Sequence, residues 1–391
     1  MVLSLVLGFS YSYDGEEWGF FGHRKINRMA VFTLPPPLVG FFKQHIDYVA
    51  EHSVDPDKRR HATKFEAVRH YIDIDHWGTY PYDNVPREYS KAILAFGKVV
   101  ITDGKGRDGL YTVTEKEDSM HWKSRRNSFS VPTDSFISYF RKEVMPSRYE
   151  DVWSVSVEGH PYWQSGTKKI EIRDSFTSYG ILPFALERIH YQLVRAFESK
   201  DGNRILRYAS DYGHYIGDAH VPLHTTENYN GQMTNQVGIH AFWESRIPEL
   251  FAEKEWDFFV GKAKYVRNLS DYYWDIILDS HVYLDSVLLV EKRLSKTFPE
   301  DKQYCYDERL ERTIRIQCPE YAEAFMNEMG TMVEDRMRAS IKAIGSLWYS
   351  AWIHAGKPDL TEVFFDERME QKKDTTSFKG RSIGRTHNGN P

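Results

Sequence analysis

His214 and Asp218 stand four positions apart in YGHYIGDAHVPLH, and His240 and Glu244 repeat the interval in HAFWE. On a helix this spacing puts both side chains on one face, about 6 Å apart at their Cβ atoms, close enough to share a metal ion. Imidazole nitrogen and carboxylate oxygen are donors that zinc accepts. One such pair alone is more often a surface hydrogen bond, but two pairs joined by a loop containing Gly and Asn point to a metal centre. His224 lies just past Pro222, where a loop can turn it back toward the same cavity; Gly217 and Pro222 are expected to end the helix. Upstream, Asp55 and His70 lie in VDPDKRRHATKFEAVRHYIDID, and Trp18 and His23 in WGFFGHRKIN. Alone, Asp55 before Pro56 reads as a turn or capping residue and Trp18 as core. His220, two positions after Asp218, is expected to support a ligand by hydrogen bonding rather than touch metal.

The elements that must position these groups read mainly as α-helix. PPPLVGFFKQHIDYVAEHS opens with prolines suited to a first helical turn and spaces its apolar residues by three and four. Phe184 to Ala196, Arg204 to Ile216, Tyr265 to Leu289 and Glu320 to His354 repeat that pattern. The expectation is a multi-helix domain over 18–358, interrupted at 78–180 by an elaborated, loop-rich insertion. There, turn clusters such as TDGKGRDG and EGHPYWQSGTKK surround short helical pieces such as DSFISYFRKEV. Residues 1–17 read as a signal-like or disordered start. The tail, 359–391, is basic and lacks an apolar face from about 371, so that part is expected to be disordered.

Composition narrows the function. With 41% hydrophobic and 15% aromatic residues, the 391-residue chain can bury a large core. Its net charge of -5 excludes nucleic-acid binding driven by bulk positive charge alone. No run of eighteen apolar residues occurs, so no membrane-spanning helix is expected. The apolar stretch in MVLSLVLGFSYSYDGEEW lacks a preceding Lys or Arg, an atypical export signal. Two cysteines, Cys305 and Cys318, allow one disulfide without requiring it and exclude a cysteine-based zinc site.

The ordered set W-x4-H, D-x14-H-Y-x-D, H-x3-D-x5-H and H-x3-E resembles the zinc-dependent superfamily of single-strand-specific nucleases of fungi and plants and bacterial phospholipases C. The resemblance runs discontinuously from Trp18 to Glu244. It implies a mainly α fold and up to three zinc ions. Asp55, His70, His214 and Asp218 would hold the first, and His224, His240 and Glu244 the second. The third would use His23, a bridging Asp218, and the backbone amine and carbonyl of Trp18. A metal-bridging hydroxide, oriented by Asp55, would attack phosphorus, with Lys58 at the phosphate-contacting position. Tyr71 and Asp73 match the aromatic and acid that receive a base, although phospholipases carry such a pair too.

The resemblance has departures. Glu16 and Glu17 precede Trp18, whereas in the relatives that Trp is the mature N-terminus. Val221 replaces the Gln usual in the nuclease GDxHQPLH block, and Glu244 is the acid found in the phospholipases. The expected function is an exported zinc phosphodiesterase, nuclease-like on single-stranded nucleic acid or nucleotides. The alternatives are a phospholipase C acting on lipid headgroups and a non-catalytic, zinc-stabilised binding protein.

Overall fold

The computed structural model describes residues 19–60, 64–102, 108–116, 119–123, 128–132, 135, 138–140, 152–156, 169–309 and 312–366. Trp18, residues 1–17 and the tail from 367 lie outside them, as does most of DSFISYFRKEV.

The helical periodicity becomes a bundle in which the same faces meet. The N-terminal helix, Gly19–Val31, buries His23, Ile26, Asn27, Ala30 and Val31, a single stripe at three- and four-residue spacing. Leu182–Glu198 starts with Pro183 in its first turn and packs along Gly202–Ala219, the His214 helix. Asp201 caps that second helix by accepting from the Arg204 amide at 3.1 Å. Met332–His354, the C-terminal helix, packs against all three. Its Trp348 donates from Nε1 to the Ala209 carbonyl at 3.0 Å and stacks on Phe42 at 4.9 Å, joining the bundle to Leu38–Gln44.

Small residues set how closely these helices approach. A Cβ on Gly213 would collide with Asn27 Oδ1, and one on Gly217 would lie 2.7 Å from Ile26 Cδ1 and 3.0 Å from His23 Nδ1. Gly217 therefore does not end the helix as expected: the helix continues to Ala219, and the glycine lets the N-terminal helix lie against it.

The mainly helical reading is correct, but two parts of the chain build sheet instead. Within 78–180, β1 (Lys98–Thr102), β2 (Asp108–Lys116), β3 (Ser119–Lys123), β4 (Ser128–Pro132), β5 (Val152–Ser156) and β6 (Lys169–Arg173) form one six-stranded sheet in the order β4-β3-β2-β1-β6-β5. Every pairing is antiparallel, with Val99 opposite Tyr111 and Ile172. The turn cluster TDGKGRDG, read as a loop, joins β1 to β2, and the short β-branched and aromatic runs around it are strands. Buried Ile172 and Phe176 attach this sheet to the main core. A second hairpin pairs β7 (Tyr304–Arg309) with β8 (Arg312–Gln317), and a Cys305–Cys318 disulfide closes its base.

Two stretches expected to be single helices are each divided. Tyr265 to Leu289 becomes Leu269–Val282 and Leu284–Thr297, and Glu320 to His354 becomes Pro319–Met329 and the C-terminal helix, broken at Gly330 with φ 61°. Among the described residues no helix is long and apolar enough to cross a membrane.

Candidate metal centre

The close approach at Gly213 and Gly217 brings His23 onto His214, their rings stacked 3.9 Å apart. Asp218, one turn after His214, reaches the same point. Its Oδ2 lies 3.0 Å from His70 Nδ1 and 3.2 Å from His214 Nε2, while its Oδ1 lies 3.5 Å from His23 Nε2. Asp57 completes the group, with Oδ1 3.7 Å from His70 Nδ1 and 3.8 Å from His214 Nε2.

Asp57 stands where Asp55 was expected. Both belong to the short helix Asp55–Arg59, but two residues on a helix point well apart, so only one can face His214. Asp55 turns outward: it accepts from Lys58 Nζ at 2.9 Å and pairs with His52 Nδ1 at 2.6 Å. Burial alone would raise its pKa, yet His52 and Lys58 hold it below the ordinary value. The flanking His52 and Lys58, three positions to either side, were the sequence signal that Asp55 is committed to an outer ion pair.

The second group is His224, His240 and Glu244. Glu244 Oε2 lies 3.0 Å from His240 Nε2 and 3.3 Å from His224 Nε2, and the two imidazole nitrogens face each other at 2.9 Å. His224 sits in the 3-10 turn Pro222–Thr225, and His240 in a short helix entered through Gly238 with φ 101°. The expected i, i+4 pair closes across a π-helical turn, Phe242–Arg246, rather than a regular α-helix. Such turns are rare and frequent at functional sites.

Hydrogen bonds outside each group fix which nitrogen faces inward. His214 Nδ1 donates to the Ser53 carbonyl at 2.8 Å, so it is Nε2 that faces Asp57 and Asp218. His224 Nδ1 donates to the His70 carbonyl at 2.5 Å, leaving Nε2 aimed at His240 and Glu244. That bond also ties the two groups together, and His224 Nδ1 is 3.6 Å from Asp218 Oδ1. His70 Nε2 and His23 Nδ1 are buried without a hydrogen-bond partner among the described residues.

The charges agree with that arrangement. Burial would push the Asp218 carboxyl up, but His214 and then His224 hold it well below the usual range. Glu244 is held well below in the same way, chiefly by His240. Burial works against a charged His214, yet Asp218 and Asp57 raise it to about 9. Each group thus concentrates ionised carboxylate around inward-facing imidazole nitrogens, a place that favours positive charge, whether a proton on His214 or a metal ion that displaces it. Mixed nitrogen and oxygen donors of this kind fit zinc, and His23, His214 and Asp218, or Asp57, His70 and His214, or His224, His240 and Glu244 are close enough to hold an ion.

Other candidate residues are placed differently. His220 is buried and donates from Nδ1 to the Ile216 carbonyl at 2.7 Å, closing the end of its helix rather than joining either group. Tyr71 is 4% exposed and donates its hydroxyl to the Ser178 carbonyl at 3.1 Å, so its ring is core and offers no face for stacking a base. Asp73 is fully buried and presents no carboxylate to solvent. Lys58 is open to solvent beside Asp55. The third ion expected from the resemblance depends on Trp18, outside the described residues; Gly19, next to it, lies against Glu244, where an added Cβ would be 3.4 Å from Oε1.

A buried polar layer behind the first group was not anticipated. Arg59 donates to Asp211 at 2.9 Å and lies 3.6 Å from Glu66, which accepts the Tyr215 hydroxyl at 2.6 Å. Asp211 and Tyr215 flank His214 on its helix, at intervals where the sequence could have shown them as its neighbours. Comparison with protein-family models and with curated proteins finds no match for this chain.

Proposed function

We propose that this chain is a zinc-dependent phosphodiester hydrolase acting on single-stranded nucleic acid or nucleotides. The observation that carries this reading is Asp218, one buried carboxylate within 3.6 Å of nitrogens on His23, His70, His214 and His224. A structural zinc is satisfied by four ligands that close its shell. Eight donors in two touching groups exceed that need and leave coordination to spare for a substrate. Zinc bound there supplies positive charge that acidifies water and offsets charge developing on a phosphoryl group. The chain's own part is to keep the donors ready. Ser53 and His70 carbonyls orient two imidazoles, the histidines keep Asp218 and Glu244 ionised, and Lys58 offers an exposed cation to a phosphate oxygen.

Glu244 favours a second reading, a phospholipase C acting on lipid headgroups, because the resemblance places that acid with the phospholipases. Both readings fit an exported protein, which the Cys305–Cys318 disulfide supports, since such bonds persist in oxidising compartments. The test is hydrolysis of single-stranded DNA, RNA and phosphatidylcholine by the zinc-loaded protein beside His214→Ala. Cleavage of the nucleic acids that His214→Ala loses supports the first reading, and cleavage of the lipid alone supports the second. Inactivity of both proteins on all three substrates overturns the hydrolase assignment and leaves a zinc-stabilised binding protein.

A further inference from the structure

Next to the two donor groups lies a small cleft, partly open to solvent, that encloses about 50 Å³. The N-terminal helix, the end of the His214 helix, the turn carrying Trp243 and the C-terminal helix supply its walls. Ile26, Val221, Trp243, Val333 and Met337 make much of the lining apolar. Gly22 helps keep it open, since a Cβ there would meet only the Glu244 carbonyl oxygen, at 3.7 Å.

One lining residue does not suit an apolar chamber. Arg336 is 8% exposed, and all its hydrogen-bond partners are neutral: Nε donates to the His220 carbonyl at 3.1 Å, and Nη2 to the Ile276 carbonyl at 3.3 Å and to Ser280 Oγ at 2.5 Å. No carboxylate pairs with it among the described residues, and Nη1 makes no hydrogen bond there. Burial lowers its pKa, with Asp279 and then Tyr283 opposing that. The Tyr283 ring lies 5.7 Å from Cζ and offsets part of the cost of burying the charge, and an anion would offset more. The carbonyls and hydroxyl fix the plane of the guanidinium, leaving one N–H edge available for a planar or tetrahedral anionic head.

We propose that this cavity binds a small amphiphile with an apolar body and one anionic head, carboxylate or phosphate, and that Arg336 pairs with the head. The small enclosed volume admits the anionic head and the first carbons of the body, with the rest of the body lying toward solvent. His23 and Glu244 also line it, which places such a ligand against the donor groups without making it one of their ligands.

Isothermal titration of the zinc-loaded protein with octanoate, octyl phosphate and octanol tests this. At least one of the two anions is expected to bind at least tenfold more tightly than octanol, and which one binds better identifies the head. Gly22→Leu fills the cavity from the N-terminal helix and should abolish binding, whereas Arg336→Gln should bring the anions down to the affinity of octanol. Equal affinity for all three compounds would overturn the assignment. So would anion binding that persists unchanged in Gly22→Leu, since the anion would then sit on the metal centre. The Gly22→Leu arm keeps the proposal testable if Arg336→Gln fails to fold.

Discussion

The two donor groups are assembled in opposite ways. His23, Asp57, His70, His214 and Asp218 come from four separated parts of the chain, and all but Asp57 are buried. They meet only when the N-terminal helix, the short helix at Asp55 and the His214 helix are packed together. His224, His240 and Glu244 come from one continuous stretch, and two of the three are partly open to solvent. The first group is therefore a product of the whole fold, while the second is a product of one loop and a π turn. Asp218 belongs to the first and touches the second through His224, so it should be the point at which damage spreads.

The sharpest way to break this comparison is to remove that point. Asp218→Asn keeps the shape and removes the charge, and is expected to lower bound zinc in both groups and to cut activity at least about 100-fold, since losing a mere supporting partner of a ligand already costs 10–100-fold. Glu244→Gln should empty the second group alone. Metal content after dialysis distinguishes them: equal loss of all metal in both variants would show that the groups are not separable.

Asp57 and Asp55 offer a finer contrast. Asp57→Asn removes a donor and should weaken zinc binding by at least about 100-fold, and Asp55→Asn, whose carboxylate faces His52 and Lys58, by much less. Competition with a chelator measures both. The reverse ranking would mean that the short helix at Asp55 turns when metal binds.

These residues also show what the sequence could convey. The i, i+4 pairs were legible because a helix turns side chains into register by a fixed local rule. The choice between Asp55 and Asp57 was legible only indirectly, through His52 and Lys58 beside Asp55, because it depends on which side of a five-residue helix faces His214, 157 residues beyond Asp57. The glycines were visible, but Gly217 read as a helix end, since its role is set by the Ile26 and His23 side chains of another helix. The six-stranded sheet escaped notice because its strands are short and separated by turn clusters that resemble loops until their partners are known. The second group, being local, was the part best read in advance.

If close helix approach builds the first group, widening it should loosen that group first. Gly213→Ala would collide with buried Asn27 Oδ1, which lies one turn from His23. Overpacking of this kind costs about 1–3 kcal/mol. The urea midpoint should fall accordingly, and zinc should leave the first group before the second. Loss of stability with both metal groups intact would separate packing at Gly213 from the position of His23.

The smallest expected effect asks whether acid attacks the core or only the metal groups. His190 lies in the bundle between the Tyr212 hydroxyl at 3.1 Å and His354 Nδ1 at 2.9 Å. Burial, helped by His354, pushes its pKa from 6.5 down to about 3. The folded value lies below the unfolded one, so the unfolded chain takes the proton first and stability must fall as pH drops below 6.5. Over the first pH unit the loss is about 1 kcal/mol, and it continues toward pH 3. His190→Gln cannot take up that proton, so its stability should fall less steeply between pH 6.5 and 5.5 in urea titrations of metal-free protein. Identical slopes in the two proteins would place the acid sensitivity elsewhere. A difference that persists without metal would show that the bundle core responds to acid independently of either donor group.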